Sequence, residues 1–158
     1  MDPFAEAHLS RDAREQLLAA QDECTVAWIN DEGWPICVVQ TYVWANGSFW
    51  LTAFTDKPRV RALTERPQST VSISSKGTDQ GPERMVSCRT RAVIHPDDET
   101  KSWFYPVFAK RTSDDPAMQA GMAKALSRQD RVVIELQPVS WNTFDGIALR
   151  KAMTKPRS

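Results

Sequence analysis

The residues best suited to chemistry lie together in Phe49-Trp50-Leu51-Thr52-Ala53-Phe54-Thr55-Asp56-Lys57-Pro58-Arg59-Val60-Arg61. A β-rich run passes straight into a helix start. Thr52 and Thr55 supply hydroxyl donors, and Lys57, Arg59 or Arg61 adds positive charge. The first-turn N–H groups of a helix have no intrahelical partner, so amides, hydroxyls and a cation gathered there make a phosphate site. The same spacing also suits a solvated basic helix, and the Asp56 carboxylate competes for the same donors.

Other chemistries lack their residues. The chain has two histidines, His8 and His95, and neither stands in a nucleophile pattern. There is no Gly-x-Ser-x-Gly, His-Glu-x-x-His, P-loop, Gly-x-Gly-x-x-Gly or Cys-x-x-Cys. His95 precedes Pro96 and reads as a capping or surface residue, while Asp97, Asp98 and Glu99 suit a helix N-terminus. Cys24, Cys37 and Cys88 are too few and too widely spaced for a disulfide framework or a zinc site. They read as buried free thiols in a reducing cytoplasm. Nucleophilic and metal-assisted hydrolysis are unsupported, and no catalytic residue is assigned.

Charge is unevenly placed. Over 158 residues, 20 Lys and Arg balance 20 Asp and Glu, which argues against a nucleic-acid coat or a polybasic membrane binder. Residues 1–32 carry eight acids and two bases, whereas Asp56–Arg66 carries four bases and two acids. The tail 150–158 is purely basic. A neutral chain built this way can still hold one small anion where its bases converge. No apolar run approaches the ~18 residues of a membrane span, and the acidic N-terminus lacks the apolar stretch of a secretory signal.

The elements that must position these residues follow from pattern. Ser10 caps a helix over about 10–21, with Leu9, Ala13, Leu17 and Ala20 on one stripe. Strands follow over 25–29, 35–44 and 48–54, the last two joined by the Asn46-Gly47 hairpin signal. A short helix, capped by Thr55 or Asp56, carries Pro58 in its first turn and stops at Pro67. Further strands span 68–75 and 84–94. A helical excursion that Pro106 should kink or split comes next, and a last strand runs from Arg131 towards Phe144. The whole reads as a single domain, mainly β (α+β): a six-stranded antiparallel Greek-key split β-barrel over about 24–144 with a few peripheral helices.

Several segments, in order, carry a family resemblance. They are Leu17-Leu18 with Cys24-Thr25-Val26-Ala27-Trp28; Asp31-Glu32-Gly33-Trp34-Pro35; Asn46 to Thr52; Lys57-Pro58-Arg59-Val60-Arg61-Ala62-Leu63 with Arg66-Pro67; and Arg89 to Ile94 with Asp97-Asp98. From about Ser10 to Phe144 the chain resembles the FMN-binding split-barrel proteins related to pyridoxamine 5′-phosphate oxidase. The resemblance implies a cytoplasmic homodimer with two FMN sites at the subunit interface and a small-molecule substrate, NADH or NADPH being a candidate electron donor. Neither a nucleic-acid nor a membrane partner is expected.

Residue by residue, it places Val38, Val39, Gln40 and Thr41 along the flavin ring. Thr52, Ala53, Thr55, Lys57, Arg59 and Arg61 fall near the phosphate, and Arg84, Met85 and Trp141 approach from either subunit. A flavin carries the redox chemistry itself, so missing triads do not exclude an enzyme. Arg84 or Arg150 would face the pyrimidine end of the ring. The chain departs from the pattern at Asp56-Lys57-Pro58, where relatives place paired bases. It also lacks the Arg-x-His motif of the authentic oxidases after Arg150, so pyridoxamine phosphate is not the expected substrate. A deazaflavin-dependent reductase on the same fold and a non-catalytic flavin or haem binder are the alternatives.

Overall fold

A computed structural model describes residues 3–154. After a single 3-10 turn at Pro3–Glu6, helix α1 (Arg11–Ala20) starts at Ser10, whose side chain accepts from the Ala13 N–H. Then come β1 (Glu23–Ile29), β2 (Pro35–Thr41), β3 (Val43–Ala45) and β4 (Ser48–Phe54). Helix α2 (Pro58–Glu65) leads into β5 (Gln68–Ser74) and β6 (Arg84–His95). Helices α3 (Asp98–Thr112) and α4 (Pro116–Ser127) precede β7 (Arg131–Asp145) and α5 (Gly146–Thr154).

All strand pairs are antiparallel, in the order β2-β1-β5-β6-β7-β4-β3. The two edges, β2 and β3, are consecutive in the chain and separated by Tyr42 alone. One residue cannot cross a flat sheet, so the sheet curls until its edges meet. The sheet has seven strands, not six, because the run expected over 35–44 breaks at Tyr42. There the backbone N–H donates to the Asp22 carbonyl and the hydroxyl donates to the Leu18 carbonyl at 2.6 Å. Tyr42 is fully buried, and its ties to the end of α1 turn the chain from one edge to the other. The β3–β4 hairpin forms as expected, with Asn46 and Gly47 at φ 52° and 74°.

One core fills the curl, built from Leu17 and Leu18 of α1, Val26, Phe49, Leu51, Leu63, Val71, Ile73, Val86, Ile134 and Leu136. A second lies outside the sheet, where Phe104 and Tyr105 of α3 pack on Val43, Trp50 and Val133. Strand β4 is therefore buried on both faces as far as Ala53, and only its last residue, Phe54, is exposed. Helix α3 runs unbroken through Pro106. Its buried residues Phe104, Tyr105 and Ala109 hold both sides of the lost backbone bond, while Pro106 and Ser102 face water. Part of the expected basic tail is helical too: Asp145 accepts from the Ile147 and Ala148 N–H groups and so starts α5. Lys155 and Arg157 lie outside the described residues. No helix among the described residues is long and apolar enough to cross a membrane.

Candidate functional site

Helix α2 begins one or two residues later than either cap expected from sequence. Pro58 occupies its first turn, and a residue before proline is driven to extended backbone. Lys57 (φ −67°, ψ 137°) is accordingly the N-cap, and it makes no side-chain capping bond. Thr55 is drawn sideways instead: its hydroxyl donates to Asp130 Oδ1 at 2.8 Å and its N–H to the Asp130 carbonyl at 3.1 Å. Neither Thr55 nor Asp56 accepts from an α2 amide among the described residues; the Val60 N–H donates to the Lys57 carbonyl at 2.9 Å.

Arg59 spans the split in the barrel. One arm of its guanidinium donates to Gln40 Oε1 on β2, and the other to the Thr52 carbonyl on β4 at 3.3 Å. Its Nε is buried without a hydrogen-bond partner. Both partners are neutral, and among the described residues no carboxylate pairs with Arg59. Burial, and then the nearby Arg131 guanidinium, hold Arg59 below the usual arginine range. Arg131 opposes Phe54 across the β4–β7 pair and lies 3.9 Å from the centre of its ring. The Lys57 ammonium lies 5.9 Å from the same centre. Three cations and a half-exposed ring thus gather where β4 passes into α2.

The other expected residues divide clearly. Gln40 and Arg59 meet directly, with Thr52 offering its carbonyl, and Lys57 stands by the Phe54 ring. The Thr52 hydroxyl is buried and turned inward, donating to the Val132 carbonyl at 3.0 Å beside the Tyr105 hydroxyl. Ala53 is 2% exposed, in the core. Val38 packs against that core, while Val39 points outward at 65% exposure. Thr41 ends β2, the edge strand, whose outer side has no neighbour in the sheet. Arg61 is turned elsewhere and pairs with Asp31 in the β1–β2 turn, where Arg66 also reaches Asp31 at 2.7 Å. The bonds from Arg66 and Arg61 hold the Asp31 carboxyl below its usual range.

Arg84 and Met85 sit at the start of β6, opposite Asp145 and Phe144, whereas the start of β7 pairs near the other end of β6. Arg84 is neutralised by Asp145 at 3.2 Å and Arg150 by Glu83 at 2.9 Å. Trp141 lies beneath α1, 5.9 Å from the Phe49 and Trp44 rings, with the Arg14 guanidinium 4.1 Å above it. Within one chain these three residues do not join the cationic end.

The remaining reactive groups offer little. His8 Nδ1 donates to the Thr143 carbonyl at 3.0 Å. His95 lies 3.0 Å from Glu135, whose other oxygen accepts from Ser48 at 2.8 Å. All three cysteines are free thiols. Burial pushes Cys24 up to about 12 and Cys88 to about 11, which keeps both protonated. Cys37, expected inside, is exposed because the alternation of β2 turns Pro35, Cys37 and Val39 outward. No group of three or more His, Cys, Asp or Glu among the described residues could hold a metal ion. Arg131 escaped the sequence reading. It lies 72 residues beyond Arg59 in the chain, and only the pairing of β4 with β7 brings it there.

No family model and no curated sequence matches the chain. Solved structures do. A conserved hypothetical protein of Mycobacterium tuberculosis aligns over 98% of this chain and 93% of its own, with TM-score 0.80 and 17% identity. An F₄₂₀ reductase aligns over 81% and 94%, with TM-score 0.60 and 22% identity. An FAD-binding protein of Mesorhizobium loti aligns over 85% and 94%, with TM-score 0.65 and 17% identity. At such identities the likeness is one of fold, and the fold is the split β-barrel of the pyridoxamine 5′-phosphate oxidase-like proteins.

Proposed function

We propose that the chain is a flavin-dependent oxidoreductase that binds FMN with its phosphate at the β4–α2 junction and its ring along β2, and acts on a small molecule. The observation that carries this reading is Arg59, half-buried across the split with neutral partners and no acid. A guanidinium so placed is suited to a phosphate; α2 adds little beside it, since Pro58 has no N–H and the Lys57 and Val60 N–H groups donate to the Phe54 and Lys57 carbonyls. The residues of β2 fit a planar polar ring, since an edge strand offers unpaired backbone N–H and C=O groups. When bound, a flavin supplies hydride transfer. The chain's own part is to hold the phosphate through Arg59 and Lys57 and to orient the ring edge against the β2 backbone.

The reading includes a homodimer in a reducing cytoplasm, which suits three free thiols. Arg84, Met85 and Trp141 lie far from the cationic end of their own chain, so they reach a cofactor only from a second copy. The F₄₂₀ reductase among the structural neighbours favours a second reading, a deazaflavin coenzyme at the same cations.

Absorbance of the purified protein and titration with FMN, riboflavin and a deazaflavin test both. FMN bound at least tenfold more tightly than riboflavin, and weakened about tenfold or more by Arg59→Gln, is the expected outcome. Binding of the deazaflavin alone favours the second reading, and binding of none of the three defeats both. Anaerobic reduction of the loaded protein by NADH or NADPH then identifies the donor.

A further inference from the structure

We propose that Arg131, the first residue of β7, is the third cation of this site and grips the ligand's phosphate together with Lys57 and Arg59. The inference deepens the reading above and rests on it, because it takes a phosphorylated ligand to enter at the β4–α2 junction.

Three observations support it. Arg131 is placed by the last rung of the β4–β7 pairing, opposite Phe54, and its guanidinium lies 3.9 Å from the centre of that ring. Its Nε donates to Gln129 Oε1 at 2.5 Å, which fixes the plane of the group and leaves the terminal nitrogens with no described protein partner. Arg131 is also near enough to Arg59 to depress its protonation.

Like charges held together cost free energy unless something offsets them. Salt bridges serve that purpose at Arg61, Arg66, Arg84, Arg111 and Arg150. None forms at Lys57, Arg59 or Arg131 among the described residues. Two acids do stand nearby in sequence. Asp130 accepts the Thr55 hydroxyl through Oδ1, and among the described residues neither it nor Asp56 forms an ion pair with any of the three cations. A trio without an ion-paired carboxylate, drawn from β7, the β4–α2 junction and α2 itself, is suited to a phosphate of charge near −2.

The test compares FMN, riboflavin and inorganic pyrophosphate on the full chain by calorimetry. Arg131→Gln should weaken FMN and pyrophosphate about tenfold to hundredfold while riboflavin is unchanged. Arg131→Met keeps the apolar contact with Phe54 and should lose as much, so a folding defect in the glutamine variant does not decide the matter. Arg131→Lys should recover part of the loss. Unchanged FMN and pyrophosphate affinity in the Gln and Met variants overturns the inference and leaves the cofactor reading standing. So does an equal loss for riboflavin, which would mark a purely structural arginine. Pyrophosphate binding that needs Arg131 in a protein that takes no flavin or deazaflavin keeps the anion site and defeats the cofactor reading. A wild-type chain that binds neither pyrophosphate nor FMN overturns the inference.

Discussion

Asp145 shows how much one buried carboxylate can organise. It accepts from the Ile147 and Ala148 amides at 3.0 and 3.1 Å and pairs with Arg84 at 3.2 Å. Burial alone would raise its pKa. The Ala148 N–H bond and the Arg84 pair and hydrogen bond more than offset that and leave the carboxyl below its usual range. The sign of the pH effect follows. A depressed folded pKa contributes stability that is fully present above the unfolded value of about 3.9 and is lost as pH falls through the lower folded value. Asp145→Asn should cost about 1–3 kcal/mol at pH 6, and the gap to wild type should shrink below about pH 3.9. Urea unfolding at pH 6 and pH 3 reads both quantities. A gap that is the same at the two pH values would show that the carboxylate's charge is not what stabilises the junction.

Arg59 obeys the opposite logic. It has no acid, so its substitution removes a ligand contact and a link across the split rather than an ion pair. Arg59→Leu, which removes the orphaned buried Nε, should leave thermal stability within about 1 kcal/mol of wild type. Differential scanning calorimetry of the unliganded protein checks this. A loss of several kcal/mol would make Arg59 a structural bolt.

Among the elements, the decisive one is the shortest, the single residue between β2 and β3. Its hydroxyl bonds the Leu18 carbonyl deep in the core. Tyr42→Phe keeps the ring and orphans that carbonyl. The expected cost is about 1–2 kcal/mol, read as a lower urea midpoint with unchanged m-value. A drop in m would instead mean that the sheet edges had separated.

The same residue marks the limit of what sequence shows. Alternation and β-branched residues made the strands legible, and Asn46-Gly47 made the hairpin legible, because those signals are local. The break inside 35–44 depends on bonds to Leu18 and Asp22, which no local pattern contains. The site divides the same way. Lys57 and Arg59 could be read from a basic helix behind a proline. The inward turn of the Thr52 hydroxyl, the diversion of Arg61 to Asp31 and the arrival of Arg131 are consequences of packing between distant segments. Asp145 ahead of Gly146 was a readable helix start, hidden by the basic residues that follow it.

For the molecule as a whole, the outer face of β1 and β2 is a candidate contact surface. The stripe Ile29, Pro35, Cys37 and Val39 lies on one side of that pair, since Ile29 opposes Pro35, Ala27 opposes Cys37 and Thr25 opposes Val39. Val39 and Val139 are about two-thirds exposed, at 65% and 66%. Val139 is the extra residue of a bulge, where Arg89 pairs Ser140 and Thr90 pairs Pro138. With Ile29 and Pro35 it lines a hollow of about 430 Å³. Apolar surface on a sheet edge invites association, and a second copy of the chain is the occupant the proposed function requires. A charge at the centre of that face would then separate the subunits and split each cofactor site. Val39→Asp should yield a monomer in sedimentation equilibrium, with its melting temperature nearly unchanged at low protein concentration and FMN affinity reduced about tenfold or more. The monomer is the sharper sign, because Val39 also stands on the strand proposed to carry the ring, and at 65% exposure it contributes little to the fold of its own chain. A wild-type protein that sediments as a monomer yet binds FMN tightly would show that one chain completes the site alone. Arg84, Met85 and Trp141 would then have no part in it.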